Sequence, residues 1–228
     1  MDLKLLENSF YITYSFLVTT GTITFIESLR TSMFGARHIL NIETCISIVA
    51  AYFYGKFMEL FNESKKNGMS KDELLKKINM NRYVDWAITT PLMLFVLLMA
   101  FSYNITGKNK VNFGHLSLVL ILNYLMLGSG YIGESNKELH LSMNIIGFIF
   151  FISIFYFLYS NYIGPSLGKR GSSVNVGLYM AYLIAWSLYG VFYYFDEYTK
   201  NIGYNVLDLF SKCFVGIFFW AYFAKIFN

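Results

Sequence analysis

Seven long apolar segments follow one another along the chain, and short polar breaks separate them. Each segment has about 20 residues or more, enough for a helix rising ~1.5 Å per residue to cross ~30 Å of hydrocarbon. The breaks are rich in turn-forming residues, such as Gly107, Gly164 and Pro165. The pattern predicts one all-α domain over residues 1–228, a bundle of seven transmembrane helices. The predicted spans are roughly 9–30, 38–62, 80–102, 113–133, 140–162, 174–195 and 203–227.

Composition supports a membrane protein. Apolar residue types make up 56% of the chain and charged types only 14%, whereas soluble domains carry about 25% charged residues. The lysines that give most of the net charge of +4 lie between Lys65 and Lys77, which is typical of a solvated loop. Cys45 and Cys213 lie inside apolar segments and are interpreted as small core residues, not as a disulfide. The composition therefore predicts a multi-pass protein of the lipid bilayer. We expect no nucleic-acid partner, because no such motif is present, and we also expect no metal site and no enzymatic activity.

Seven spans put the two chain ends on opposite sides of the membrane. We expect the N-terminus outside and the C-terminus in the cytoplasm, although basic residues on both sides leave the positive-inside rule indecisive. Residues 1–8 lack the basic start of a signal peptide, so none is expected. Ser70 and Glu73 have the spacing of a capping box, which predicts that a helix begins near Lys71.

Several ionisable residues lie deep inside the spans, where burying a charge is costly and function is the default interpretation. Lys212 is near the middle of the seventh span, with Asp208 one helical turn earlier. Asp85 is in the third span, flanked by Arg82 and Thr89 on the same face. One interpretation is a structural cluster of ion pairs. The other is a Schiff base, because a buried lysine amine condenses with aldehydes and both aspartates are available as counterions.

Two of these segments resemble a known family. Residues 82–92, Arg-Tyr-Val-Asp-Trp-Ala-Ile-Thr-Thr-Pro-Leu, resemble the third-helix signature of microbial rhodopsins. Residues 207–212, Leu-Asp-Leu-Phe-Ser-Lys, resemble their retinal-lysine motif in the seventh helix. In the sixth span Trp186, Tyr189 and Tyr193 resemble the family's aromatic box, although Gly190 stands where the family has proline. In the fourth span Asn123 and residues 128–130 resemble the wall near the ionone ring.

The resemblance implies a cofactor, all-trans retinal, bound covalently to Lys212 as a protonated Schiff base in the centre of the bundle. It implies that Asp85 is the primary counterion and proton acceptor, that Asp208 is the second counterion, and that Arg82 gates the exit side. Thr89 is expected to hydrogen-bond Asp85. The expected retinal pocket consists of Tyr83, Trp86, Thr89, Thr90, Met93, Met126, Trp186, Tyr189 and Tyr193.

The acceptor side resembles that of proton pumps, but the donor side does not. Proton pumps commonly place a carboxylate seven residues after the threonine, and this chain has Val96 there. Glu43, near the cytoplasmic end of the second span, is the candidate donor, as in viral rhodopsins of giant algal viruses; the alternative is an interfacial side chain reaching water. Asp196 and Glu197 are candidates for proton release, or else a solvated pair in a loop.

A light-gated cation channel is the alternative function. The second span carries three glutamates, and the first span is rich in hydroxyls that line a water path or else bond to carbonyls of their own helix. The candidate pore or entrance residues are Ser15, Glu27, Arg37 and Asn205. A sensor, which would act through a separate protein, ranks third. We predict a pump that moves protons outward. The alternative channel would conduct small monovalent cations, and in either case we expect a homo-oligomer of three or five copies.

Overall fold

The computed structural model describes residues 3–226, and this part of the chain forms seven helices with no strands. The predicted all-α bundle is thereby confirmed, while the predicted end of the seventh span at residue 227 lies outside the described residues. The helices are α1 Leu3–Arg30, α2 Phe34–Asn67, α3 Lys71–Thr106, α4 Phe113–Ser135, α5 Lys137–Ser166, α6 Ser172–Phe192 and α7 Glu197–Phe223.

Helix caps explain why α2 and α3 run past the apolar segments that predict them. Gly68 adopts the left-handed conformation, φ 65°, that ends α2. The Ser70 side chain accepts a hydrogen bond from the Glu73 N–H at 3.2 Å, so α3 begins at Lys71 as the capping spacing predicts. The α2–α3, α4–α5 and α6–α7 connections lie with residue 3 on one face of the bundle, called here the N-terminal face. The remaining connections and residue 226 lie on the opposite, C-terminal face.

The bundle suits a bilayer. Six of the helices in the described range are long and apolar enough to cross a membrane, and α2 is the exception. Helix α2 carries Arg37, Glu43, Lys56 and Glu59 in its length, so its crossing depends on packing between α1 and α3. Large apolar side chains cover the outside of the bundle. We conclude that the chain is an integral, multi-pass membrane protein.

Two helices contain a π-helical turn, at Tyr159–Ile163 in α5 and at Leu209–Phe214 in α7. Such turns add a residue to the helix and often occur at functional sites. The turn in α7 contains Lys212 and follows Asp208 directly. It therefore sets the direction in which the lysine enters the core.

Candidate functional site

A buried cluster of four charges lies in the middle of the bundle. The Lys212 Nζ is 2.7 Å from Asp85 Oδ2 and 3.3 Å from Asp208 Oδ1, and all three side chains are at most 1% exposed. Arg82 lies 3.9 Å from Asp208 on the side toward the N-terminal face. Two cations thus face two carboxylates, the balance that a buried ionic site requires. Helices α3 and α7 bring together the four residues that their sequences mark.

The two aspartates differ in their hydrogen bonds. Asp208 accepts one from the Tyr54 hydroxyl at 2.7 Å and one from the Tyr189 hydroxyl at 2.5 Å. Asp85 accepts from Lys212 through Oδ2, while its Oδ1 has no hydrogen-bond partner among residues 3–226. Asp208 is therefore held on both oxygens, and Asp85 keeps one oxygen able to take a proton. Thr89 donates a hydrogen bond to Asp85, through its main-chain carbonyl, at 2.9 Å.

An internal cavity of about 790 Å³, counting the space at its mouth, opens beside Lys212. Eight of the nine predicted pocket residues line it, and Thr89 does not. The sequence did not indicate Tyr204 of α7 as a lining residue. It also did not indicate the lining residues that α5 contributes, which are Met143, Asn144, Gly147, Phe148 and Phe151.

The cavity wall fits an elongated apolar molecule that ends at an amine. Aromatic and aliphatic side chains form most of the wall, including Trp86 and Trp186, and Lys212 is the one lysine among the lining residues. A buried amine and an unpaired carboxylate oxygen beside it suit an aldehyde condensed on the lysine, whose nitrogen would need a counterion. The residues of the site therefore fit retinal.

Gly190 changes the pocket at the position of the family's proline. Its carbonyl accepts a hydrogen bond from the Asn144 side chain at 3.4 Å, and the Phe148 ring packs where a Cβ would be. Glycine therefore gives α5 a close approach to α6 here. A proline ring would collide with Phe148.

Glu43 lies on the other side of Lys212 from Asp85. It is 1% exposed, and its Oε1 has no hydrogen-bond partner within the described chain. Its Oε2 lies beside Gly216, one turn beyond Lys212 toward the C-terminal face, where an added Cβ would come within 3.4 Å. A carboxylate buried without a cation or donor is costly, so the protonated form is favoured at this position. Glu43 is thus a core residue and not an interfacial side chain.

The two charged candidate entrance residues, Glu27 and Arg37, lie near the ends of their helices. Arg37 is exposed and donates to the Thr31 carbonyl at 2.8 Å. Glu27 is buried and lies 3.8 Å from the exposed Arg30. Their charges are engaged near the helix ends, and Glu43 lies deeper in the bundle.

The structure corrects the predicted pore at Ser15. This residue lies on the outer face of α1, and its hydroxyl donates to the Tyr11 carbonyl at 2.9 Å within its own helix. A hydroxyl satisfied in this way tolerates lipid, so Ser15 lines no path through the bundle. Asn205, in contrast, is buried in the core and donates to Ser9 at 2.7 Å. Glu59 is exposed outside the bundle as well.

Asp196 and Glu197 have different surroundings. Asp196 caps α7: hydrogen bonds from the Thr199 side chain and from the N–H groups of Thr199 and Tyr198 hold its pKa below the usual range. Glu197 accepts hydrogen bonds from Lys200 at 2.7 Å and from Asn79 at 2.5 Å. Asp196 is therefore a structural cap, and Glu197 belongs to a polar cluster.

That cluster also contains Glu134 and Asn201, and the sequence pattern did not mark it. Lys200, Glu134 and Asn79 all lie at the margins of predicted spans, where charged residues are usually solvated. The sequence indicated only that these three residues lie near the N-terminal face of the bundle. Their burial depends on how the helix ends converge.

Comparisons with known proteins agree with this geometry. A family model described as bacteriorhodopsin-like protein matches residues 5–226. The crystal structure of viral rhodopsin OLPVRII is 51% identical, with 98% of this chain and 100% of that chain covered and a TM-score of 0.86.

More distant relatives share the fold. Xanthorhodopsin, described as a light-driven ion pump with dual chromophore, is 19% identical over 98% of this chain and 93% of its own, with a TM-score of 0.80. The green-light absorbing proteorhodopsin of Gamma-proteobacterium EBAC31A08 is 28% identical over 153 residues, which is 61% of this chain. The match spans 59% of the length of that curated relative.

Proposed function

Because this chain belongs to the bacteriorhodopsin-like family, we propose that it binds retinal at Lys212 and uses light to pump protons outward across a membrane. Membership confirms the resemblance to microbial rhodopsins that the third- and seventh-helix motifs predicted. The family binds retinal. For this chain we propose the all-trans form, held on Lys212 as a protonated Schiff base. When bound, retinal supplies light absorption and an isomerisation that reorients the lysine nitrogen.

The order of carboxyl groups along the bundle carries the proposal. Asp85 contacts Lys212 on the side of the N-terminal face, and Glu43 lies one turn beyond Lys212 on the side of the C-terminal face. A pump needs a proton acceptor on one side of the switching nitrogen and a donor on the other. This chain has a carboxyl group in each position.

The charged residues around Lys212 have different roles in proton transfer. Asp85 accepts the proton, because one of its oxygens has no donor in the described chain. Asp208 stays a fixed anion, since Tyr54 and Tyr189 hold both of its oxygens. Arg82 balances the second negative charge and separates this centre from the exit. For the exit we propose Glu197 over Asp196, because Glu197 belongs to the polar cluster at the N-terminal face, whereas Asp196 caps α7.

Substitution of Glu43 tests the donor. We expect Glu43→Gln to slow the return of the proton to Lys212 by about 100-fold or more, the usual contribution of a positioned acid. Flash spectroscopy measures this step, and azide, a diffusible proton donor, should restore its rate. Glu59→Gln is the matched control, because Glu59 lies on the outer side of the same helix. An unchanged photocycle in Glu43→Gln would remove the donor role.

Photocurrent against voltage tests the whole proposal, with retinal supplied and ion gradients varied. A pump should give current that stays outward across the range and ignores sodium and potassium. Current that reverses and follows a cation gradient would instead mean a light-gated channel. Buried hydroxyls on the inner face of α1, those of Thr13, Thr20 and Thr24, favour that second function, and the outward positions of Ser15 and Glu59 disfavour it.

For topology and assembly, we propose an external N-terminus, a cytoplasmic C-terminus and a homo-oligomer. Lys56 is exposed on α2, two residues after Tyr54, and therefore lies near the depth of Asp208. A lysine facing hydrocarbon at that depth is costly. A second copy covering the groove between α1 and α2, which Lys56 and Glu59 line, would remove this cost. The native mass in mild detergent should correspond to three or five copies, and a monomer would contradict the proposal.

A further inference from the structure

Lys200 is a second fully buried lysine, and it does not line the retinal cavity. It lies in the first turn of α7 and is 1% exposed. Its Nζ donates to Glu134 at the end of α4 and to Glu197 one turn earlier, both at 2.7 Å. Burying a lysine is favourable only when its charge is paired. Here one ammonium group is paired with two carboxylates.

The same two carboxylates share a second donor. The Asn79 Nδ2 donates to Glu134 Oε1 at 2.9 Å and to Glu197 Oε2 at 2.5 Å. Helices α3, α4 and α7 thus meet at this pair of carboxyl groups. Both carboxyl groups accept hydrogen bonds from Lys200 and from Asn79, as carboxylates do.

The cluster is joined to the retinal centre by amides. Asn201 donates to Asn79 at 2.9 Å and accepts from Arg82 Nε at 3.0 Å. Arg82 in turn lies beside Asp208. Neutral amides are donors and acceptors without a titrating proton. This chain of bonds therefore transmits the position of Arg82 and does not conduct protons.

We propose that Lys200 is a positioning residue that keeps Glu134 and Glu197 ionised, so that the resting protein stores no proton at its exit. The proton that leaves is then the one that Asp85 has received, and it appears outside late in the cycle. This inference rests on the proposed pump function and deepens it. It assigns the timing of release to an ion cluster in which Lys200 and Glu134 are buried and the Glu197 side chain is 46% exposed.

Other ionisable groups face the same cluster. Tyr83, Tyr193 and Tyr204 lie within electrostatic range of both carboxylates. Lys200 Nζ is 5.9 Å from the centre of the Tyr193 ring, against which His140 stacks. Arg82 is a further cation, joined to the cluster through Asn201. Lys200 is the cation that contacts both carboxylates, so its removal has the largest effect on them.

The test removes the charge and keeps the length of the side chain. In Lys200→Met, two carboxylates that share Asn79 lose their cation, and such a pair favours holding one proton between them. We expect the infrared spectrum in the dark to gain a carbonyl band of a protonated carboxyl group in addition to the band of protonated Glu43, which is common to all the variants. The added band should vanish in Lys200→Met/Glu134→Gln. It should be absent from the wild type, from Lys200→Arg, and from Lys66→Met, which removes an exposed lysine at the same face.

A pH-sensitive dye after a flash gives the second readout. The wild type and Lys200→Arg should release a proton after uptake, and Lys200→Met should release one before uptake. Lys200→Gln is a second neutral variant should methionine prevent pigment formation. Neutral variants with no new infrared band, or with the wild-type order of release and uptake, would overturn the inference. The dark infrared result does not depend on pumping, so failure of the pump proposal would be seen separately, in the photocurrent.

Discussion

Lys212→Ala is expected to abolish the visible absorption band of the protein after retinal is added. The Lys212 amine ends the cavity and is the group there that condenses with an aldehyde. Without it, retinal has no covalent partner and absorbs as the free aldehyde in the near ultraviolet. Absorption spectra of purified protein, with and without retinal, measure the effect. The expected loss is complete and not partial.

Two controls make this result specific. Lys66→Met removes an exposed lysine that does not line the cavity, and it should keep its visible band. Adding n-propylamine together with retinal to Lys212→Ala should restore a band, because the amine replaces the atoms that the substitution removes. A visible band in Lys212→Ala without added amine would contradict the assignment of Lys212.

Asp85→Asn is expected to shift the visible band to longer wavelength and to stop transport. The Asp85 carboxylate lies 2.7 Å from the lysine nitrogen and stabilises positive charge there. At an effective dielectric constant of about 20, such a contact is worth several kcal/mol, on the order of 4 or more. Light moves positive charge along retinal away from this nitrogen, so the carboxylate raises the excitation energy. Removing its charge lowers that energy, so the band moves to longer wavelength.

Acidification offers an independent check of the same role. Protonation of Asp85 in the wild type neutralises the same charge and should give a similar red shift, and Asp85→Asn should no longer respond. Asp196→Asn is a matched control, because Asp196 caps α7 away from the lysine. Its spectrum should not change. An unshifted spectrum in Asp85→Asn would transfer the role of counterion to Asp208, which is 3.3 Å from Lys212.

The transmembrane organisation and the charged centre were predictable from sequence. Seven apolar segments of sufficient length can satisfy their backbone polar groups in lipid only as helices. Lys212, Asp85 and Asp208 stood out because a charge inside such a segment is costly and therefore rare. The resemblance carried by residues 82–92 and 207–212 named the family, and the match over residues 5–226 confirms it.

Side-chain convergence was decided by the tertiary structure alone. Helix α5 is apolar on every side, so its sequence did not indicate which residues line the cavity. The hydroxyls of α1 gave no indication that Thr13 faces the core while Ser15 faces outward. Tyr54 meets Asp208 across 154 positions of sequence, a contact that no local pattern encodes.

Lys200 shows the same limit most clearly. In sequence it belongs to a polar break, and in the structure it is buried between α4 and α7 with Glu134 and Glu197. Sequence determines the length of each helix and the cost of placing a charge in it, because both depend on neighbours along the chain. The rotation of each helix about its axis, and the meeting of helix ends, depend on packing against the other six. Only the assembled bundle therefore decided which charged residues are paired in its interior.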